Sequence, residues 1–226
     1  METYKIISDE SKLDQFIEWL PELKPSEVYY VQLFGRKKYL ETGTIQSGHQ
    51  SLNRFICKKD RIKEKIRQLE IPLGAYKNRH VELPQECLCL YICPNPRCHE
   101  KAAKNLLKSL ADKITKSYEG YNTHQLAMTE LHRAKSRNFI VDFDYDEVDY
   151  NDIKHNVESV LNKDAFKVLK TRGGFHLLVM PEKVHEDKRN KWHNKLVNLG
   201  ADVVGDCLIP VPFCFQGNFV PYFLDI

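Results

Sequence analysis

The sequence has no run of about 18 apolar residues, so no membrane-spanning helix and no membrane partner are expected. Its first ten residues, METYKIISDE, offer neither the basic segment nor the apolar stretch of an export signal, and the expected location is the cytoplasm. A disulfide framework is missing too: seven cysteines, an odd number without regular spacing, fit reduced thiols. There is no internal repeat, and a net charge of +3 is too small to identify a polyanionic partner by itself. What remains is globular material. With 226 residues, 42% hydrophobic and 11% aromatic, the chain can bury a substantial core as one large domain or as a small module fused to a larger one.

Charge is unevenly spread. The segment RFICKKDRIKEKIR (54 to 67) sets seven basic residues against Asp60 and Glu64, and 52 to 70 reads as a helix with a basic surface, ended before Pro72. Lys58, Lys59 and Lys63 are its candidate nucleic-acid contacts. Further cations stand at Lys101, Lys104, Lys108, Lys113 and Lys116, and at Arg133, Lys135 and Arg137. The alternative is that such faces only keep a protein in solution.

Hydrophobic periodicity predicts a helix over 11 to 20 capped by Ser11, and a strand over 27 to 40 turning at Gly35. GAYKNRHVELP (74 to 84) reads as a boundary between an N-terminal α/β module, 1–80, and a larger unit, 81–226. A strand over 86 to 93 and a long helix over 97 to 120, closed by Gly120, follow. Asn95, Pro96 and Arg97 read as the turn that starts this helix, with Arg97 a candidate phosphate contact. Next come a short basic helix over 129 to 136, a strand over 138 to 144 and a helix over 150 to 161. Strands over 165 to 170 and 174 to 180, a helix over 184 to 198 and a strand-rich tail complete the chain. Because strands and helices do not alternate strictly, the expected class is α+β with a mixed sheet.

Six acids crowd the stretch between Asp142 and Asp152, within and just after RNFIVDFDYDEVDY (137 to 150). Asp142 and Asp144 alternate with Val141 and Phe143, so a strand would aim both carboxylates from one face, about 6 to 7 Å apart along the chain. Such a pair suits hard divalent cations and two-metal phosphoryl or nucleotidyl transfer. A solvated acidic turn is the alternative. In KTRGGFHLLV (170 to 179) a tight polar turn with two glycines precedes a buried strand containing His176. Backbone N–H groups near Gly174, the Arg172 guanidinium and the His176 imidazole could together meet a triphosphate, unless His176 is simply a core residue.

Cys87, Cys89, Cys93, Cys98 and His99 lie close together but lack a Cys-x2-Cys knuckle, so zinc is not expected. Alternation instead puts Cys87, Cys89, Tyr91 and Cys93 on one face of a strand as core residues.

A hydrophobic strand ending Asp-hydrophobic-Asp, then a small polar turn into a strand histidine, then a further acid resembles the three-motif catalytic core of the archaeo-eukaryotic primase superfamily, phage and plasmid primase-polymerases included. Residues 137 to 180 carry the match, and the likeness extends over 81 to 226. It implies an RRM-like primase-polymerase core in a bacterial or phage-infected cell, with Mg²⁺ or Mn²⁺ on Asp142, Asp144 and a third acid. Asp206 fills that third place, with Asp202 as the alternative. His176, with Gly174 as the small residue of its motif, would contact the phosphates of a nucleoside triphosphate, and DNA template and primer would be partners alongside a separate helicase. Pro212, Phe213 and Cys214 depart from the Pro-Gly-Thr common in phage members. Two other functions use the same residues: a metal-dependent nuclease, and a non-catalytic nucleic-acid-binding protein that keeps the fold.

Overall fold

The structure, a computed structural model, describes residues 2–40, 48–114, 122–203 and 208–224. Asp9 rather than Ser11 starts the first helix, α1 (Glu10–Trp19): its carboxylate accepts from the Lys12 amide at 3.0 Å, and Pro21 stops further growth. β1 (Glu27–Arg36) is rich in β-branched and aromatic residues, is buried along nearly its whole length and passes through Gly35 without turning. Its backbone needs partners on both edges. β5 (Leu88–Cys98) supplies one and β2 (His49–Cys57) the other, and with β10 (Ile209–Pro210) they form a sheet ordered β10-β5-β1-β2.

The stretch from 52 to 70 is therefore not one helix. Pairing with β1 runs from Arg36↔His49 to Tyr29↔Cys57, and only α2 (Ile62–Arg67) is α-helical. A ladder of backbone hydrogen bonds outweighs the weak helical preference of these residues. The division expected at residue 80 runs through this sheet: β1 and β2 precede it, while β5 and β10 follow it. Between them lies a ribbon of β3 (Lys77–Asn78) and β4 (Val81–Glu82), and one core takes residues from Tyr4 to Cys214.

Asn95, Pro96 and Arg97 continue β5 instead of turning, and Arg97 is fully buried, away from any surface phosphate. Cys89, Tyr91 and Cys93 share the face of β5 opposite Leu90 and Ile92, as alternation predicts, but Cys87 does not join them. Cys87 sits in a 3-10 turn before the strand and packs in the main core, whereas Cys89 lies with Phe34 and Tyr91, and Cys93 with Tyr30 and Met128. Burial pushes the Cys89 thiol up to about 12, so it stays protonated at neutral pH.

α3 (His99–Ile114) and α4 (Thr123–Arg133) lead to the second half of the chain; Gly120 lies outside the described residues. There β6 (Val141–Asp146), α5 (Tyr150–Val160), β7 (Phe166–Lys170) and β8 (Gly174–Val179) stand close to their expected positions. The helix expected over 184 to 198 shrinks to α6 (Trp192–Val197) after two 3-10 turns. With β9 (Asp202–Val203) and β11 (Tyr222–Leu224) the strands form a second sheet ordered β11-β7-β8-β6-β9. The class is α+β, and among the described residues both large sheets are antiparallel rather than mixed.

Period-2 alternation divides the second sheet cleanly. Phe143, Tyr145, Phe175 and Leu177 pack with Val157 of α5 and Leu196 of α6. On the other face Leu169 and Leu178 join the core of the first sheet, and Asp142, Asp144 and His176 share that side.

Two buried polar side chains lock the first sheet to the segment entering β6. Asn95 Nδ2 donates to the Ile140 carbonyl at 3.1 Å, and its Oδ1 accepts from the Phe139 and Ile140 amides at 2.7 and 2.9 Å. Glu27, with no exposed surface, accepts from Ser136 Oγ at 2.6 Å and from Arg137 Nε at 3.2 Å. Burial would raise the Glu27 pKa, but these donors and the Lys24 amide outweigh it and hold the carboxyl below its usual range.

Gly174 is required by a close approach: a Cβ there would lie 1.9 Å from the Tyr145 carbonyl oxygen. Gly174→Ala should therefore destabilise by about 3 kcal/mol or more, while Gly173→Ala, meeting only Asp146 Oδ1 at 3.5 Å, should stay within about 1 kcal/mol. Denaturant unfolding of the two variants side by side tests this.

Lys59 provides a second test. Its ammonium donates to the carbonyls of Glu18 and Leu20 at 3.2 and 2.7 Å and to Glu22 at 2.5 Å, satisfying the C-terminal end of α1. Lys59→Ala should cost roughly 1 to 2 kcal/mol, and Lys63→Ala, which removes a surface pair with Asp14, less than about 1 kcal/mol. Thermal unfolding distinguishes the two.

Candidate active-site cleft

Strand register builds the centre of the site. Asp144 stands opposite His176 of β8 on one side and opposite Asp202 of β9 on the other. Asp142, two residues back on the same face, is nearly buried and accepts from His176 Nδ1 through both oxygens at 3.0 and 3.1 Å. The other ring nitrogen, Nε2, lies 3.6 Å from Asp144 Oδ1, so one imidazole sits between the two carboxylates.

The electrostatics follow from this placement. Burial alone would lower the His176 pKa, but Asp142, by charge and by hydrogen bond, and then Asp144 and Asp146 raise it overall and favour the imidazolium. Asp144 is raised by burial first; His176 opposes the shift, and the like charges of Asp142, Asp146 and Asp202 add to it. Its carboxylate is crowded by other oxygen donors of the kind that hard divalent cations neutralise.

These groups open onto a cleft of about 210 Å³ between the sheets. The first sheet contributes Tyr91 and, where β1 ends, Arg36 and Lys38; the β7–β8 turn contributes Thr171 and Gly173; the tail contributes Gln216. Arg36 stacks over Tyr91 at 5.7 Å and Lys38 over Tyr39 at 5.4 Å, and among the described residues neither forms an ion pair with a carboxylate. Sequence reasoning passed over Arg36 and Lys38. Three consecutive cations, Arg36 to Lys38, at the end of an apolar strand were the available signal.

The other expected site residues are distributed as follows. Asp206 lies outside the described residues, whereas Asp202, the alternative third acid, stands beside Asp144. Among the described residues no group of three His, Cys, Asp or Glu side chains forms a ready cation site, and both Asp142 oxygens face His176 Nδ1. Gly174 does not line the cleft; its neighbour Gly173 does, and Gly174 serves the packing of β8 on β6. Arg172 is not beside the carboxylates but stacks over Tyr39 at 4.4 Å in an adjoining pocket. The three lysines of the expected basic helix have intramolecular partners: Lys58 binds the carbonyls of Pro25 and Glu27, Lys59 the end of α1, and Lys63 the Asp14 carboxylate.

Because Asp142 is paired and Asp144 is crowded, their amide variants should diverge. Asp142→Asn should lower stability by roughly 1 to 3 kcal/mol, and Asp144→Asn should raise it at neutral pH. His176 carries a pKa raised above about 6.5, so its contribution is full below that pH and is lost as pH rises through the folded value. The gap between wild type and Asp142→Asn should accordingly narrow as pH rises above about 6.5 in denaturant unfolding. Equal destabilisation by both variants would contradict this account.

No protein-family model, no curated protein and no solved structure matches the chain.

Proposed function

We propose that this chain is a template-dependent nucleotidyltransferase of primase-polymerase type, acting on nucleoside triphosphates with Mg²⁺ or Mn²⁺ in DNA replication or repair. One observation carries the reading: carboxylates from β6 and cations at the end of β1, unpaired with any acid among the described residues, face one another across a single cleft. A cleft meant only to be filled would pair those charges with each other. One that receives a metal–triphosphate needs acids for the metal and cations for the phosphates, and here the cations are left without an acid partner among the described residues.

In this reading Asp142, Asp144 and either Asp202 or Asp206 hold the divalent cation. Bound there, Mg²⁺ or Mn²⁺ supplies neutralisation of charge on the reacting phosphate. Arg36 and Lys38 bind non-bridging phosphate oxygens. His176 keeps Asp142 oriented through Nδ1 and offers Nε2–H to a phosphate oxygen. The 3′-hydroxyl of a primer or initiating nucleotide forms the new P–O bond at the α-phosphorus as the bond to pyrophosphate breaks, and the hydroxyl proton passes to solvent. Because Lys58, Lys59 and Lys63 are engaged within the fold, the exposed lysines of α3, Lys104 and Lys108, are the better candidates for contacts to the DNA backbone.

Extension of a labelled template–primer with each nucleotide set, in Mg²⁺ and in Mn²⁺, tests the proposal. Wild-type protein should add nucleotides as the template dictates, and Asp142→Asn or Asp144→Asn should reduce this by roughly a thousandfold, the several kcal/mol a correctly held metal contributes. Shortening of the primer would point to a nuclease, and DNA binding without extension to a non-catalytic protein.

A further inference from the structure

Beside the acidic cleft lies a second pocket, of about 480 Å³, to which Lys38 also contributes. Its defining feature is a stack: the Arg172 guanidinium lies 4.4 Å from the centre of the Tyr39 ring. Arg172 is exposed and, among the described residues, forms no ion pair. Leu40 and Pro84 supply apolar walls, while Glu86 and Asn218 supply polar edges.

The stack is held by the chain around it. The Arg172 amide donates to Gln216 Oε1 at 3.3 Å, tying the β7–β8 turn to the tail, and Gln216 itself lines the acidic cleft. Gly217, with φ +64°, gives the stack its room. A Cβ there would lie 2.8 Å from the Glu86 carbonyl oxygen, 3.2 Å from the Tyr39 ring and 3.3 Å from Arg172 Nη1.

The charges on the two sides of Lys38 differ in kind. In the acidic cleft, carboxylates and cations together suit a metal and its phosphates. In the second pocket Glu86 is the one carboxylate, beside Lys38 and Arg172, and it can accept from a ring or amino N–H. Asn218 can accept or donate, and a planar guanidinium already stacked on one aromatic ring presents its other face to a second flat ring.

We infer that this pocket binds a nucleobase, with Arg172 as the stacking surface, and that the base belongs to the nucleotide whose phosphates lie in the acidic cleft. The inference rests on the nucleotide reading given above and assigns Arg172 to the base rather than to the phosphates.

The test is calorimetric titration of wild type, Arg172→Ala and Arg172→Lys with magnesium nucleoside triphosphates and with magnesium tripolyphosphate, which has no base. Arg172 is exposed, so both variants should fold. Base stacking predicts that both weaken nucleoside triphosphate binding by roughly 5- to 100-fold and leave tripolyphosphate within about twofold. Equal weakening of the two ligands by Arg172→Ala, with recovery in Arg172→Lys, would make Arg172 a phosphate contact and overturn the inference. Unchanged binding of both ligands, or no triphosphate binding by the wild type, would also overturn it. Template–primer extension is scored separately. A lost extension with the base-dependent contrast intact would remove the transferase reading and keep the pocket, whereas extension without the contrast would remove only the pocket.

Discussion

Everything at the cleft depends on how the segment 136 to 140 is held before it becomes β6. Asn95 satisfies three backbone groups of that segment with one amide, and Glu27 binds Ser136 and Arg137 from the neighbouring strand. These contacts are buried, so leaving any one unmade would strand a polar group away from water at a cost of about 1 to 3 kcal/mol. That cost enforces geometry more than it adds stability. β6 can begin in only one place relative to β1 and β5, and the carboxylates at its second and fourth residues therefore face the end of β1 across a fixed gap.

The charges that meet there are not used up in holding the fold together. Elsewhere the protein pairs its ions: Lys59 with Glu22, Lys63 with Asp14, Arg137 with Glu27. At the cleft Asp142 is matched to His176, but Asp144 is crowded by like charge, and Arg36 and Lys38 lie against aromatic rings instead of acids. A sheet that crowds a half-buried, raised-pKa carboxylate with like charge gives up stability at that point, and such exceptions to local consistency gather at functional sites.

Where a segment's neighbours are close in the chain, the sequence was legible. The alternation of Val141 to Tyr145, the turn at Thr171 to Gly174 and the strand carrying His176 all depend on local hydrogen bonding and period-2 burial, and each stands near where it was expected. β2 was misread because its identity depends on β1, some twenty residues earlier, needing a partner; nothing within 52 to 57 announces that need. The same distance effect misled the reading of Lys58 and Lys59. A run of cations looks solvent-facing in a sequence, yet these two cap carbonyls of α1 and its surroundings, more than thirty residues away. Arg36 and Lys38 were missed for the opposite reason. Their own segment says little, and only the second sheet, folded against the first, gives them something to face.

β6 also constrains how this chain can change in length. Its six residues present Val141, Phe143 and Tyr145 to one layer and three carboxylates to the other in strict alternation. Inserting or deleting one residue within Val141–Asp146 would exchange the two sets, driving ionised groups under α5 and α6 while Phe143 and Tyr145 entered the cleft. Point substitutions in this strand change one contact at a time, but a frame change of a single position inverts every contact at once. Variation in length among descendants of this sequence should therefore be confined to the connections, with the spacing from Asp142 to Asp144, and from Gly174 to His176, held constant.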